Sequence, residues 1–114
     1  MKIDSYSFGH IVIDGKTYSS DVIIYGDRVD ATWWRKEGHR LHPDDLVDIV
    51  NARPDMLIIG TGYMGVMTVP TKTIEYVTAR KIDLKVERTG KAVEVFNALH
   101  TQNKHIIAAL HITC

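Results

Sequence analysis

Cysteine is nearly missing from this chain: the single one, Cys114, is the last of its 114 residues. An intrachain disulfide is therefore impossible, which suits a reducing compartment. An excess of charge is missing as well. Fourteen Lys and Arg balance fourteen Asp and Glu, so no net field recruits nucleic acid or an anionic membrane surface, and neither is expected as a partner. Long apolar runs are also lacking. The longest, Ile106 to Leu110, is far too short to span a bilayer. The opening Met1-Lys2-Ile3-Asp4-Ser5 carries an acid early and has no apolar stretch of the secretory kind. Together these absences set the expectation of a soluble, cytoplasmic protein. No repeat, low-complexity tract or Pro/Gly/Ser-rich linker divides the chain, and its length suits one domain over residues 1–114 with a single core.

The apolar pattern that is present changes character along the chain. In the first third, Phe8 to Ile13 is followed by Tyr18 across Asp14-Gly15, a strong hairpin signal that favours a type I′ turn. Val22 to Tyr25 and Arg28 to Trp34 flank Gly26-Asp27, a second two-residue turn. An antiparallel meander reaching about Trp34 is the expectation. A loop, Arg35 to His42, then leads into a helix. Pro43 suits its first position, Asp44 and Asp45 suit its positive end, and Leu46, Ile49 and Val50 form its apolar stripe. Pro54 stops that helix.

From Pro54 onward strands and helices alternate. Met56 to Ile59 is the continuous apolar run of a strand covered on both faces. Pro70 to Arg80 reads as a helix with Ile74 and Val77 inward. Ile82, Leu84 and Val86 alternate with Asp83, Lys85 and Glu87, as in a strand with one buried face. Thr89 is placed to cap a helix whose stripe is Ala92, Val95, Phe96 and Leu99. Ile106 to Ile112 closes the series as a strand. The pattern predicts an α/β fold: a central mixed sheet with helices packed on it, and the N-terminal meander as an extra β layer.

The spelling Gly60-Thr61-Gly62-Tyr63-Met64-Gly65 matches G-x-G-x-x-G directly after a strand. A dinucleotide site would also need a helix beginning near Gly65. Val66-Met67-Thr68-Val69-Pro70 denies it one, since it is β-branched and ends in a helix-starting proline. No cofactor is expected. A weaker reading survives: if strands 56–59 and 82–87 are parallel, Gly60, Thr61 and Gly62 share one sheet edge with Thr89, Gly90 and Lys91. That edge is where open α/β sheets bind ligands, and a helix N-terminus with Lys91 suits a small anion. These six residues are the candidate ligand site.

Other constellations carry less. His39 and His42 near Asp44 and Asp45 are separated by Arg40, and no metal-ligand spacing occurs, so no metal is expected. Cys114 and His111 fall on opposite faces of a strand, which disfavours a Cys–His nucleophile. Trp33-Trp34-Arg35-Lys36 places two indoles on opposite faces of an extended segment. One belongs to the core; Trp34 and Arg35 are the partner-binding candidates.

Joined together, these segments resemble a family of small domains over essentially the whole chain: the adipogenesis-associated domain proteins and the related mitochondrial complex I assembly factors. The resemblance rests on Leu57-Ile58-Ile59-Gly60-Thr61-Gly62, on Val69-Pro70-Thr71 with Thr73-Ile74-Glu75-Tyr76, and on Ile82-Asp83-Leu84-Lys85-Val86. It extends to Ala92-Val93, Phe96-Asn97-Ala98-Leu99 and His111-Ile112-Thr113-Cys114, and this tail favours the adipogenesis-associated branch. The resemblance implies a compact mixed-sheet domain and no established catalytic residues. It also implies action through partner proteins in the complex I branch, although this chain shows no mitochondrial targeting segment. The expected function is binding of a protein partner or small ligand. The alternative is a small-molecule enzyme or nucleotide/anion binder built on the Gly60–Gly62 and Thr89–Lys91 loops.

Overall fold

Two strands with no polar face organise the molecule. In the computed structural model, which describes residues 1–102 and 104–114, β6 (Met56–Thr61) and β8 (Ile106–His111) are buried at every position. Strands of that composition must lie inside a sheet with both faces covered. They pair in parallel, Met56 opposite Ile106 through Thr61 opposite His111. Successive side chains then point to opposite faces. Met56, Ile58, Ile106, Ala108 and Leu110 enter one core, and Leu57, Ile59, Ile107 and Ala109 enter the other.

Three shorter strands complete this sheet. β7 (Asp83–Glu87) lies parallel to β6 at one edge. β4 (Val22–Ile24) runs antiparallel to β8, and β5 (Val29–Asp30) antiparallel to β4, giving the order β5-β4-β8-β6-β7. A separate antiparallel sheet contains β1 (Ile3–Ser7), β2 (His10–Ile13) and β3 (Lys16–Tyr18). With α3 (Thr89–Leu99) it covers one face of the central sheet, where Ile3, Ile11, Ile13, Ala92 and Phe96 share a core. The other face is covered by α1 (Val47–Asn51), α2 (Thr71–Thr78) and the loop residues Trp33, Leu41 and Met67.

The expected α/β architecture with an extra β layer is present, and the first hairpin turns where expected: Asp14 and Gly15 have φ of 49° and 80°, as a type I′ turn requires. The meander itself is corrected. It divides after β3, because Val22–Ile24 is apolar throughout and pairs with β8 rather than with the small sheet. Ile3–Ser7, not read as a strand from sequence, supplies the third strand of the small sheet. Residues 31–34 carry no strand. The helix at Pro43 is also shorter than a full amphipathic helix: a 3₁₀ turn, Pro43–Leu46, precedes the five residues of α1.

Candidate functional site

The glycine edge is a packing device. Gly60 lies within β6, opposite Glu87 and Leu110 in the neighbouring strands. A β-carbon there would stand 2.7 Å from Thr89 Oγ1 and 2.9 Å from a Leu110 methyl. Its need for glycine is thus close approach, and not an unusual, left-handed backbone angle. Gly62 does have that angle, with φ 110°, and a β-carbon would lie 2.5 Å from the Cys114 carbonyl carbon.

The backbone donors of this loop are already committed. Gly62 N–H donates to Thr89 Oγ1 at 2.9 Å, and Tyr63 N–H donates to the Thr113 carbonyl at 3.1 Å. Gly65 N–H reaches Gly62, Val66 N–H reaches Cys114 and Met67 N–H reaches Thr61. An anion cradle depends on converging free N–H groups, and here two of the N–H groups go to the chain's own residues 113–114 and three to Thr89, Gly62 and Thr61.

Thr89 is corrected from a helix cap to a strand tie. Arg88 is the residue flanking α3, and Thr89 is its first helical residue. The buried Thr89 hydroxyl donates to the His111 carbonyl at 2.5 Å while accepting from Gly62, so it links α3, β8 and the loop after β6. Thr61 is likewise inward, donating to the Glu87 carbonyl. Gly90 and Lys91 are exposed, and Lys91 Nζ lies 3.8 Å from Glu94 on its own helix. The structure therefore joins Gly60, Thr61, Gly62 and Thr89 in one bonded unit and leaves Gly90 and Lys91 outside it.

Arg35 is the second correction. Its side chain is 6% exposed, not a surface contact. Nη1 stands 2.7 Å from Asp21 Oδ2 without hydrogen-bond alignment, so the contact is ionic. Nη2 donates to the Gly38 carbonyl, and the guanidinium lies over the Trp33 ring at 4.7 Å. Asp21 Oδ2 is also 2.9 Å from Nδ1 of the buried His111. Arginine can only donate and carboxylate only accept, so Nδ1 serves one of the two: protonated it donates to Asp21, and unprotonated it accepts from Arg35 Nη2 at 3.1 Å.

This Asp21–Arg35–His111 cluster fastens the start of β4 and the segment after β5 to the end of β8. Burial alone would raise the Asp21 pKa, but hydrogen bonds from His111 and the Ile112 N–H, with the positive charge of Arg35, outweigh it and hold the group at about 2. Arg35 Nε and His111 Nε2 have no hydrogen-bond partner. An Asp–His pair with an unpartnered Nε2 has the form of an acid–base dyad, and among the described residues no hydroxyl or thiol hydrogen-bonds to Nε2. Sequence reasoning missed the cluster because its members belong to three separate segments and share no motif.

Beside the exposed Arg88 and Lys91, this edge also presents apolar side chains outward. Phe8, Tyr63, Met64 and Val66 are all exposed, Met64 by 59%. The Phe8 and Tyr63 rings meet edge-on at 5.9 Å, and Tyr6 lies 6.2 Å from Tyr63. Burial pushes the Tyr6 phenol up to about 12, and its hydroxyl donates to the Ile112 carbonyl. Of the indoles, Trp33 is buried with Nε1 donating to the Asp45 carbonyl, and Trp34 is 74% exposed. The loop histidine and acids make local pairs: His42 with Glu37, Asp44 with Lys36, and Asp45 with the His42 N–H. Among the described residues no group of three or more His, Cys, Asp or Glu is placed to hold a metal ion. Likewise no described helix is long and apolar enough to cross a membrane.

Residues 3–111 match the protein family of unknown function DUF498/DUF598. The chain belongs to that family. A conserved hypothetical protein from Pyrococcus horikoshii is 26% identical, with a TM-score of 0.84 and all of both chains covered. The Rpa2829 protein of Rhodopseudomonas palustris is also 26% identical, with a TM-score of 0.75 over 95% of this chain and 80% of that one. An Mth938-like domain from Bordetella pertussis, 14% identical, shares the fold with a TM-score of 0.69 over 97% of this chain and 85% of that one.

Proposed function

We propose that this chain is a non-catalytic domain that holds a protein partner against the apolar surface crowning its glycine edge. One observation carries the reading. The Gly62 N–H is spent on Thr89, and the Tyr63 and Val66 N–H groups on the chain's own tail, while the same loop turns the side chains of Tyr63, Met64 and Val66 outward beside Phe8. An edge used for a small anion keeps its N–H groups free; an edge used for a partner keeps apolar side chains exposed at some cost in solubility. Trp34 is a further exposed aromatic, and aromatic residues are favoured anchors at interfaces. Arg35 is not part of this surface. The resemblance to the adipogenesis-associated and complex I assembly proteins supports the same mode of action, since the latter branch works through partners.

The test places a photo-reactive phenylalanine analogue at Met64, and at Glu94 as control, in the full chain inside cells. A discrete adduct from position 64 is expected, competed by excess wild-type protein and not by folded Phe8→Ser/Tyr63→Ser protein. Equal adducts at both positions, or none at position 64, would overturn the proposal.

A further inference from the structure

The end of the sheet opposite the glycine edge has a different chemistry. β6 and β7 are parallel, so the residues entering them, Arg53–Asp55 and Arg80–Ile82, lie side by side at their amino ends. Asp83 N–H donates to the Asp55 carbonyl there. A six-residue strand separates this end from the glycine edge by about 20 Å. An open cleft of about 610 Å³ occupies it, lined by Val50, Asn51, Arg53, Pro54, Arg80 and Ile82. That volume lies within the range of small-molecule sites.

We infer that this cleft binds a small amphipathic carboxylate, with an acid group on Arg53 and Arg80 and a hydrocarbon or aryl body on Val50, Pro54 and Ile82. Three features support this. None of the lining residues is acidic, and neither arginine has an ion-pair partner among the described residues. The Arg80 guanidinium is already positioned, stacked 3.9 Å over Tyr76 and donating to the Tyr76 carbonyl. The floor is apolar, with Pro54 and Ile82 buried.

The backbone adds a fourth. Arg53 and Lys81 follow the ends of α1 and α2 with φ of 51° and 62°, in the left-handed region where glycine is the usual residue. A side chain is strained there relative to glycine, yet both positions carry a cation. Cations at helix C-termini also offset the helix dipole, which amounts to about half a negative charge per end. Asp55 and Asp83 stand at the same strand ends but do not line the cleft, so the charged groups facing it are the guanidinium groups of Arg53 and Arg80. Planar, forked guanidinium groups match a carboxylate in two-point geometry.

The probe is 4-phenylbutyrate, followed by amide chemical shifts of the whole chain, with the uncharged 4-phenylbutanamide and inorganic phosphate as comparisons. Saturable shifts confined to residues 50–53 and 80–82 are expected, with affinity at least ~10-fold below the carboxylate for each comparison. Arg53→Gln/Arg80→Gln, exposed positions whose substitution leaves the rest of the spectrum in place, should weaken the carboxylate by a similar factor. Lys91→Gln at the other edge should not change it. No saturable shift at millimolar carboxylate overturns the inference, as does equal binding of the amide or of phosphate. The partner-binding reading would survive such a failure, because its surface lies at the opposite end.

Discussion

Gly62 and Asp21 show how single residues hold the closed edge. At Gly62 a side chain meets two separate penalties: a φ of 110°, and a carbonyl carbon 2.5 Å from the new β-carbon. Neither neighbour is a flexible side-chain end, since the obstacle is the backbone of residues 113–114. Gly62→Ala should therefore lower the unfolding free energy by about 3 kcal/mol in urea denaturation. A loss under about 1 kcal/mol would show that the tail is not fixed there. Asp21 acts through charge. Its pKa falls from 3.8 to about 2 on folding, so it contributes stability that is fully present above 3.8 and disappears as pH falls through about 2. The shift corresponds to roughly 2 kcal/mol at neutral pH. Denaturation curves taken across that window should show the wild type losing about this much more than Asp21→Asn, which starts lower because Arg35 stays buried without its counter-ion. Parallel pH profiles for the two proteins would contradict the assignment.

At the level of elements, burial decides what was legible. β6 and β8 could be read directly because a strand covered on both faces writes itself as an apolar run. α3 could be read from Ala92 and Phe96, which are buried at helical spacing. Register and partner are another matter. β4 has three residues, too few to reveal a periodicity, and what moves it into the central sheet is pairing with Leu110, Ala109 and Ala108 far along the chain. β1 escaped notice because Asp4, Ser5 and Ser7 interrupt it with polar side chains, and its one fully buried residue is Ile3. The roles of Thr89 and Arg35 were hidden in the same way. Thr89 beside a helix looked like a cap, but its hydroxyl is claimed by Gly62 in the loop after β6 and by His111 at the end of β8. Arg35 beside Trp34 looked like a basic-aromatic surface, yet Asp21 and the Trp33 ring draw it inside. Only the rejection of the dinucleotide motif depended on local signals, and those were the β-branched run and Pro70.

For the molecule as a whole, the question is whether the small β1–β3 sheet is a separate unit or part of one cooperative structure. Its apolar residues Ile3, Ile11 and Ile13 share a core with Ile58, Phe96 and Ala108. The tie is also polar: the Asn97 amide of α3 accepts from the Ile3 N–H at 3.0 Å and donates to the Ile3 carbonyl at 2.8 Å, filling the edge of β1 as a neighbouring strand would. Opening the small sheet alone would expose three isoleucines and half of the central core, which costs too much for an independent excursion. Asn97→Ala removes two hydrogen bonds and should cost about 1–2 kcal/mol. Native-state hydrogen exchange distinguishes the outcomes. In a single unit the slow amides of Ile11 and Ile13 and those of Leu57–Ile59 lose protection together and by the same amount. A loss confined to β1 and β2 would mean that the small sheet opens by itself, and that the aromatic surface containing Phe8, at the turn between those two strands, can move without unfolding the domain.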